Sequence, residues 1–116
     1  MVESYRELIV WQRAIQLSVA IYHFTHEFPR DEAYGLITQL RRAGISIASN
    51  IAEGYGRGSS GEYKHYLGVA RGANYEVQTQ LVISRELGFG NAEKLERVEG
   101  LSNEVGKMLN SMLGKL

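Results

Sequence analysis

The sequence predicts an all-α protein, an antiparallel up-and-down four-helix bundle that forms a single domain over residues 1–116. Apolar residues recur at spacings of three and four through four segments, as they do on the buried side of amphipathic helices. Proline or glycine separates these segments, and none shows the sustained apolar–polar alternation of a strand. The predicted helices cover about 5–27, 32–54, 60–87 and 92–115. Similar lengths and short connections favour antiparallel neighbours.

The first helix is predicted from a stripe of residues that is typical of a core-facing side. This stripe consists of Leu8, Trp11, Ile15, Ser18, Tyr22 and Thr25. The helix should end before Pro29, because proline disfavours a helical conformation in the residue that precedes it. Asp31 is then predicted to cap the second helix, with Glu32 in its first turn, where the helix dipole favours negative charge.

The third and fourth helices have clear boundary signals. Ser59-Ser-Gly-Glu62 has the spacing of a capping box and starts the third helix, Gly88-Phe-Gly90 ends it, and Asn91 caps the fourth. The predicted inward residues are Tyr63, Tyr66, Leu67, Ala70, Val77, Leu81 and Ser84, then Leu95, Val98, Ser102, Val105, Leu109, Met112 and Leu116. Asn74 falls within the apolar arc of the third helix, where a buried amide would fix the packing register.

The second helix has two unusual sides. A narrow polar stripe contains short amides, hydroxyls and guanidiniums, which suit a specific contact: Gln39, Arg42, Ser46, Asn50, Glu53 and Arg57. Its apolar arc spans about half of the circumference, wider than the roughly 100° stripe that a helix in a monomeric bundle needs. The surplus predicts self-association through an interface that contains Arg41, Gly44, Ile45, Ala48 and Ala52. The charge of Arg41 should be paired if it is buried.

The composition excludes several classes of protein. Thirteen Lys and Arg balance thirteen Asp and Glu, so the chain lacks the basic excess of a dedicated nucleic-acid binder. The absence of cysteine excludes disulfides, thiolate metal sites and a cysteine nucleophile. No apolar run is long enough to approach a membrane span, and the N-terminus lacks the apolar core of a signal peptide. These features predict a cytoplasmic protein with no membrane partner. Thirteen glycines, several within helices, indicate close helix–helix approach.

Three motifs could in principle support chemistry, but each is weak evidence for a cofactor, metal or catalytic site. Gly56-Arg-Gly-Ser-Ser-Gly61 matches the dinucleotide fingerprint, but a helix precedes it instead of the required strand, so no cofactor is predicted. Free backbone N–H groups at the start of the third helix, near Arg57 and Lys64, remain an alternative site for a phosphate. His23, His26 and Glu27 share one turn, but no second helix supplies the matching ligands of a di-metal bundle, so no metal is predicted. Glu53 is interpreted as a structural carboxylate, no catalytic residue stands out, and we expect no enzymatic activity.

The balanced charge conceals a split along the chain. From Arg41 to Tyr75 there are five basic and two acidic residues, whereas from Glu76 to Glu104 there are three basic and six acidic residues. A basic surface with tyrosines beside it suits a phosphate backbone and unpaired bases. The predicted nucleic-acid or partner contact consists of Arg42, Asn50, Glu53, Arg57, Lys64 and Arg71. An ordinary mixed surface is the alternative.

The sequence resembles the four-helix-bundle proteins encoded in intervening sequences of bacterial 23S rRNA genes. The resemblance rests on Trp11, Phe28-Pro29, Tyr34-Gly35-Leu36, Gln39-Leu40-Arg41-Arg42 and above all Ser46-Ile47-Ala48-Ser49-Asn50-Ile51-Ala52-Glu53-Gly54. It implies a bundle that assembles as a ring-like homopentamer in a family suspected of binding RNA or the ribosome. A related group assists reverse transcriptases of diversity-generating elements. The family has no assigned catalytic residues, so none is carried over.

Together these observations predict a non-enzymatic, homo-oligomeric protein that contacts RNA, DNA or the ribosome through a modest basic face. The alternative is a protein–protein adaptor, or an accessory factor for an enzyme such as a reverse transcriptase, without nucleic-acid specificity of its own.

Overall fold

The computed structural model describes residues 3–116 and confirms the all-α four-helix fold. Its long helices are α1 (Ile9–Thr25), α2 (Leu36–Tyr55), α3 (Ser60–Leu87) and α4 (Ala92–Lys115). Short 3₁₀ turns, Tyr5–Glu7 and Arg30–Glu32, precede α1 and α2. Each helix packs on the next, and α4 closes against α1, which gives a bundle about 43 × 24 × 21 Å across. Within these residues no helix is long and apolar enough to cross a membrane.

Two of the three predicted helix caps are confirmed. The hydroxyl of Ser59 accepts the N–H of Glu62 at 3.2 Å, and the amide oxygen of Asn91 accepts the N–H of Lys94 at 3.0 Å. The predicted cap at Asp31 is wrong, because Asp31 lies inside the 3₁₀ turn and α2 begins five residues after it. The carboxylate of Glu32 performs this role instead and accepts the N–H of Leu36 at 3.2 Å.

The buried side of α1 is rotated from the predicted one. Ile15 and Tyr22 of the predicted stripe are 38% and 42% exposed, although Thr25 is fully buried. The core side is instead Val10, Ala14, Leu17, Ile21 and Phe24. Both stripes are apolar, so periodicity within α1 could not decide which one faces the other helices.

The inward sides of α3 and α4 are largely as predicted. The confirmed core residues are Leu67, Ala70, Val77, Leu81 and Ser84 of α3 with Leu95, Val98, Ser102, Val105 and Leu109 of α4. The prediction that Leu116 faces the core is wrong, because this residue follows the last helical residue and is 43% exposed.

The glycines fall into two groups. A Cβ at Gly54 would lie 2.7 Å from the Cβ of Tyr66, and one at Gly44 would lie 2.7 Å from the Cδ1 of Ile21. These two glycines therefore let α2 approach α3 and α1 closely, as the composition predicted. By contrast, a Cβ at Gly68 or Gly72 of α3 would meet no atom of the described chain within 4 Å. Contacts within one copy do not explain that second group.

The prediction that Asn74 is a buried amide is confirmed. It is fully buried, and its side-chain N–H donates to the carbonyl of Ser102 at 3.1 Å. The hydroxyl of Ser102 donates back to the amide oxygen of Asn74 at 2.8 Å, and it also accepts an N–H of Gln78 at 3.1 Å. Because these bonds join α3 to α4 at one height, they fix how the two helices are aligned along the bundle.

Candidate nucleic-acid and partner surfaces

The residues predicted to form one contact face lie in three separate places. Arg57 and Glu53 lie where α2 ends beside the start of α3. Arg71 points toward α4, where its guanidinium donates to the amide oxygen of Asn110 at 3.1 Å. Arg42 is exposed near the opposite end of α2. The helical stripe of α2 therefore does not continue across α3 as a single basic surface.

Arg57 is already compensated within the chain. Its Nε lies 3.3 Å from the carboxylate of Glu53 and 3.7 Å from that of Glu62. It also donates a hydrogen bond to the hydroxyl of Tyr66 and lies against the ring of that tyrosine, 5.1 Å from the centroid. The hydrogen bond to Tyr66 is the main cause that raises the pKa of Arg57 above its ordinary value, and Glu53 adds to it. A phosphate would have to compete with these partners.

Asn50 is also committed to local contacts. Its side-chain N–H donates to the carbonyl of Ser46 at 2.8 Å and to the hydroxyl of Ser46 at 3.0 Å. These contacts hold the amide against its own helix. We therefore regard Asn50 as a residue that shapes the surface of α2 and not as a leading contact residue.

Lys64 and Arg71 differ from Arg57 because no ion pair within residues 3–116 involves either of them. They are seven residues apart, which places them two turns apart on one side of α3. Tyr75, one turn further along, is 51% exposed. We call these three residues the α3 basic side. The bond from Arg71 to Asn110 places this side next to the last turns of α4.

The glycine-rich turn between α2 and α3 connects two helices, so the strand that a dinucleotide site needs does not precede it. Gly58 has a φ of +83°, which favours glycine in this turn. The N–H of Glu62 at the start of α3 is taken by the cap from Ser59. The alternative of a phosphate bound to free N–H groups is weakened by this bond.

The aromatic pair beside this turn leads to a pH prediction. The rings of Tyr55 and Tyr63 lie edge to face with centroids 6.1 Å apart. Burial raises the pKa of the Tyr63 hydroxyl, and Tyr55 raises it further. The folded state therefore holds this proton more tightly than the unfolded chain does. The resulting stabilisation is present below the ordinary tyrosine pKa of about 10 and is lost as pH rises through the folded value.

We expect the wild type to lose more free energy of unfolding than Tyr63→Phe when the pH is raised from about 9 to about 11, because only the wild type titrates this hydroxyl. Urea denaturation at both pH values measures the loss. Tyr34→Phe is the matched control, since Tyr34 is 96% exposed and should behave like the wild type. An equal loss in the wild type and Tyr63→Phe would contradict the prediction.

The histidines near the end of α1 lie beside an ion pair. Glu27 pairs with Lys94 of α4 at 2.5 Å, and the hydrogen bond from Lys94 lowers the pKa of this carboxyl. His23 and His26 are both exposed. Among residues 3–116, no group of three or more His, Asp or Glu side chains is placed to hold a metal ion.

Two of the five residues predicted for an oligomer interface lie inside the protomer. Gly44 is buried against Ile21 of α1, and Ala48 is only 6% exposed within the core. The protomer itself therefore buries these two residues, and the interface predicted around them stays a prediction. Ile45 is 46% exposed and Ala52 is half-buried, so both remain on the surface.

Arg41 is half-buried in the groove between α1 and α2. Its Nε donates to the hydroxyl of Thr25 at 3.0 Å, and its guanidinium carbon lies 4.4 Å from the ring centroid of Tyr22. Within residues 3–116 it forms no ion pair. The predicted pairing of this charge is therefore not made by a carboxylate of the same copy.

Sequence reasoning missed the apolar surface that α1 presents beside this arginine. Ile15, Val19 and Tyr22 are 38%, 51% and 42% exposed and follow one another at spacings of four and three. A signal was present, because Arg13 is the one Lys, Arg, Asp or Glu among the 17 residues of α1. Arg13 pairs with Glu104 of α4 at 2.7 Å, on another side of the helix.

The comparisons with known proteins agree with this architecture. Residues 6–111 match the family described as 23S rRNA-intervening sequence protein. Among solved structures, the chain is similar to the crystal structure of a protein with unknown function from the S23 ribosomal protein family of Bacteroides thetaiotaomicron VPI-5482. The TM-score is 0.80 at 23% identity, over 90% of this chain and 98% of the other, which shows a shared fold. The comparison with curated proteins gave no match.

Proposed function

Because this chain belongs to the family of 23S rRNA-intervening sequence proteins, we propose that it is a non-enzymatic, homo-oligomeric binding protein that contacts RNA in the cytoplasm. The bound partner is ribosomal RNA, or another RNA or DNA with an accessible phosphate backbone. The resemblance seen in the sequence implies a pentamer. Its surface side chains suit binding, and none of them has a catalytic role.

One observation carries the proposed RNA contact. On the α3 basic side, Lys64 and Arg71 lack carboxylate partners within residues 3–116, whereas Arg57 is neutralised by Glu53 and Glu62. Unpaired cations can neutralise phosphates and release counterions, which supplies the sequence-independent part of nucleic-acid affinity. The contact is therefore centred on α3, not on the end of α2.

The neighbourhood of these cations supports the same assignment. The exposed ring of Tyr75 offers a surface on which an unpaired base can stack. In a homo-oligomer this modest surface would be repeated in every copy, and the summed field would exceed that of one protomer with zero net charge.

A salt titration tests the proposal. We expect a structured fragment of 23S rRNA to be retarded by the protein in a gel at about 50 mM salt and to be released toward about 200 mM, as counterion release requires. The double variant Lys64→Ala/Arg71→Ala should weaken binding and lower the slope of log affinity against log salt by about 2, one for each lost phosphate contact.

Arg97→Ala is the matched control for these variants, since Arg97 is an exposed arginine of the acidic segment and should leave the slope unchanged. Arg57→Ala should have a smaller effect than the double variant, because Glu53 and Glu62 already neutralise Arg57. Absence of any retardation at low salt would refute the RNA contact and favour the adaptor role instead.

A further inference from the structure

Two surfaces of the bundle expose apolar side chains to solvent. The first, the α1–α2 face, consists of Ile15, Val19, Tyr22, Arg41 and Ile45. The contact between Tyr22 and Arg41 joins the two helices across this face, and Ile45 follows Arg41 by one turn of α2. The face contains one formal charge, Arg41, whose terminal nitrogens have no carboxylate partner within residues 3–116.

The second surface, the α3 outer face, lies on the side of α3 that is turned away from the core. It consists of Gly68, Val69, Gly72, Glu76, Thr79 and Ile83. Val69 and Ile83 are 41% and 44% exposed, and both glycines leave open space where a side chain would stand. A glycine inside a helix costs about 0.5–1 kcal/mol relative to alanine, and these two, one turn apart, leave a shallow site that a neighbour can fill.

Among these six residues Glu76 alone is charged, with a sign opposite to that of Arg41, and Lys64 of the α3 basic side lies one turn before Gly68. Glu76 is exposed, and within residues 3–116 its carboxylate forms no ion pair. Arg41 points toward α1, whereas Glu76 lies on the outer side of α3, so the two charges belong to different sides of one copy. Each face thus offers apolar side chains around a single charge that lacks a partner.

We propose that the α1–α2 face of one copy binds the α3 outer face of a second copy, with Arg41 paired to Glu76 across the interface. This inference rests on the proposed homo-oligomer and names the two surfaces that build it. Ile15, Val19 and Ile45 of one copy pack over Gly68 and Gly72 of the next, where the missing side chains leave room. The guanidinium of Arg41 gains the carboxylate that it lacks within its own copy.

The size of the bundle is compatible with a stable contact. A specific interface buries about 800 Å² per partner, and one side of this bundle, about 43 Å long and more than 20 Å wide, is large enough to supply that area. Because the two faces differ, the contact is head-to-tail. Such contacts build closed rings when the rotation between copies closes and filaments when it does not.

Reversal of each charge tests the pairing. Light scattering should show the wild type well above the 13.0 kDa of one copy. Arg41→Glu and Glu76→Arg should each weaken assembly at least tenfold, because like charges then meet across the interface. The double variant Arg41→Glu/Glu76→Arg should regain the wild-type mass. Arg97→Glu and Glu96→Arg, on the exposed side of α4, are matched controls that should assemble normally.

Circular dichroism checks that each variant stays helical. If Arg41→Glu unfolds, the exposed Ile45 provides a second probe of the same face, and Ile45→Glu should dissociate the assembly without loss of helix. A monomeric wild type would overturn the proposed homo-oligomer and this inference with it. An oligomeric wild type whose mass is unchanged in Glu76→Arg, or not restored in the double variant, would overturn only the pairing. The pairing would also be overturned if Arg41→Glu lost RNA affinity but kept the mass of the wild-type assembly.

Discussion

Replacing Gly54 with alanine should lower the free energy of unfolding by about 1–3 kcal/mol, the usual range for an overpacked core site. The added Cβ would lie 2.7 Å from the Cβ of Tyr66 and 3.3 Å from the backbone oxygen of Tyr63. Neither atom belongs to the flexible end of a side chain, so relief of the clash requires α2 and α3 to separate. Urea denaturation followed by circular dichroism measures the loss.

Gly100→Ala is the control for this substitution. Gly100 lies inside α4, and a Cβ there would meet no atom of the described chain within 4 Å. This variant should therefore gain about 0.5–1 kcal/mol from the better helix propensity of alanine. If Gly54→Ala were as stable as Gly100→Ala, the close approach of α2 to α3 would not exist.

Replacing Asn74 with alanine should lower the free energy of unfolding by about 2 kcal/mol, within the range for loss of buried hydrogen-bond partners. The substitution removes both hydrogen bonds between the side chain of Asn74 and Ser102, and both residues are fully buried. It also leaves a cavity between α3 and α4, which adds to the loss. Chemical denaturation measures the change.

A double-mutant cycle with Ser102→Ala separates the hydrogen bonds from the cavity. Because the two residues are in direct contact, we expect their effects to be non-additive by about 0.5–3 kcal/mol. Asn103→Ala, at an exposed position of the same helix, should change the stability by no more than about 0.5 kcal/mol. Strict additivity of Asn74→Ala and Ser102→Ala would show that the two side chains do not stabilise the bundle as a pair.

The candidate surfaces were only partly predictable from the sequence. The polar stripe of α2 placed Arg42, Asn50 and Arg57 on one side of a helix, which is a local property. That Arg57 meets Glu62 and Tyr66 depends on how α3 folds back beside α2, and no spacing within α2 carries that information. The surplus of apolar surface was recognised on α2, yet the structure places much of the exposed part on α1.

Local signals in the chain are enough to predict four helices and the two ends of α3 and of α4. Caps such as Ser59 and Asn91, stops such as Gly88 and the periodicity of apolar residues act within one or two turns and need no partner. Packing between helices selects which of the two apolar stripes of α1 is buried and which charges are already neutralised. Those outcomes depend on the neighbouring helices, and free energies of packing and charge pairing arise only once the helices are side by side.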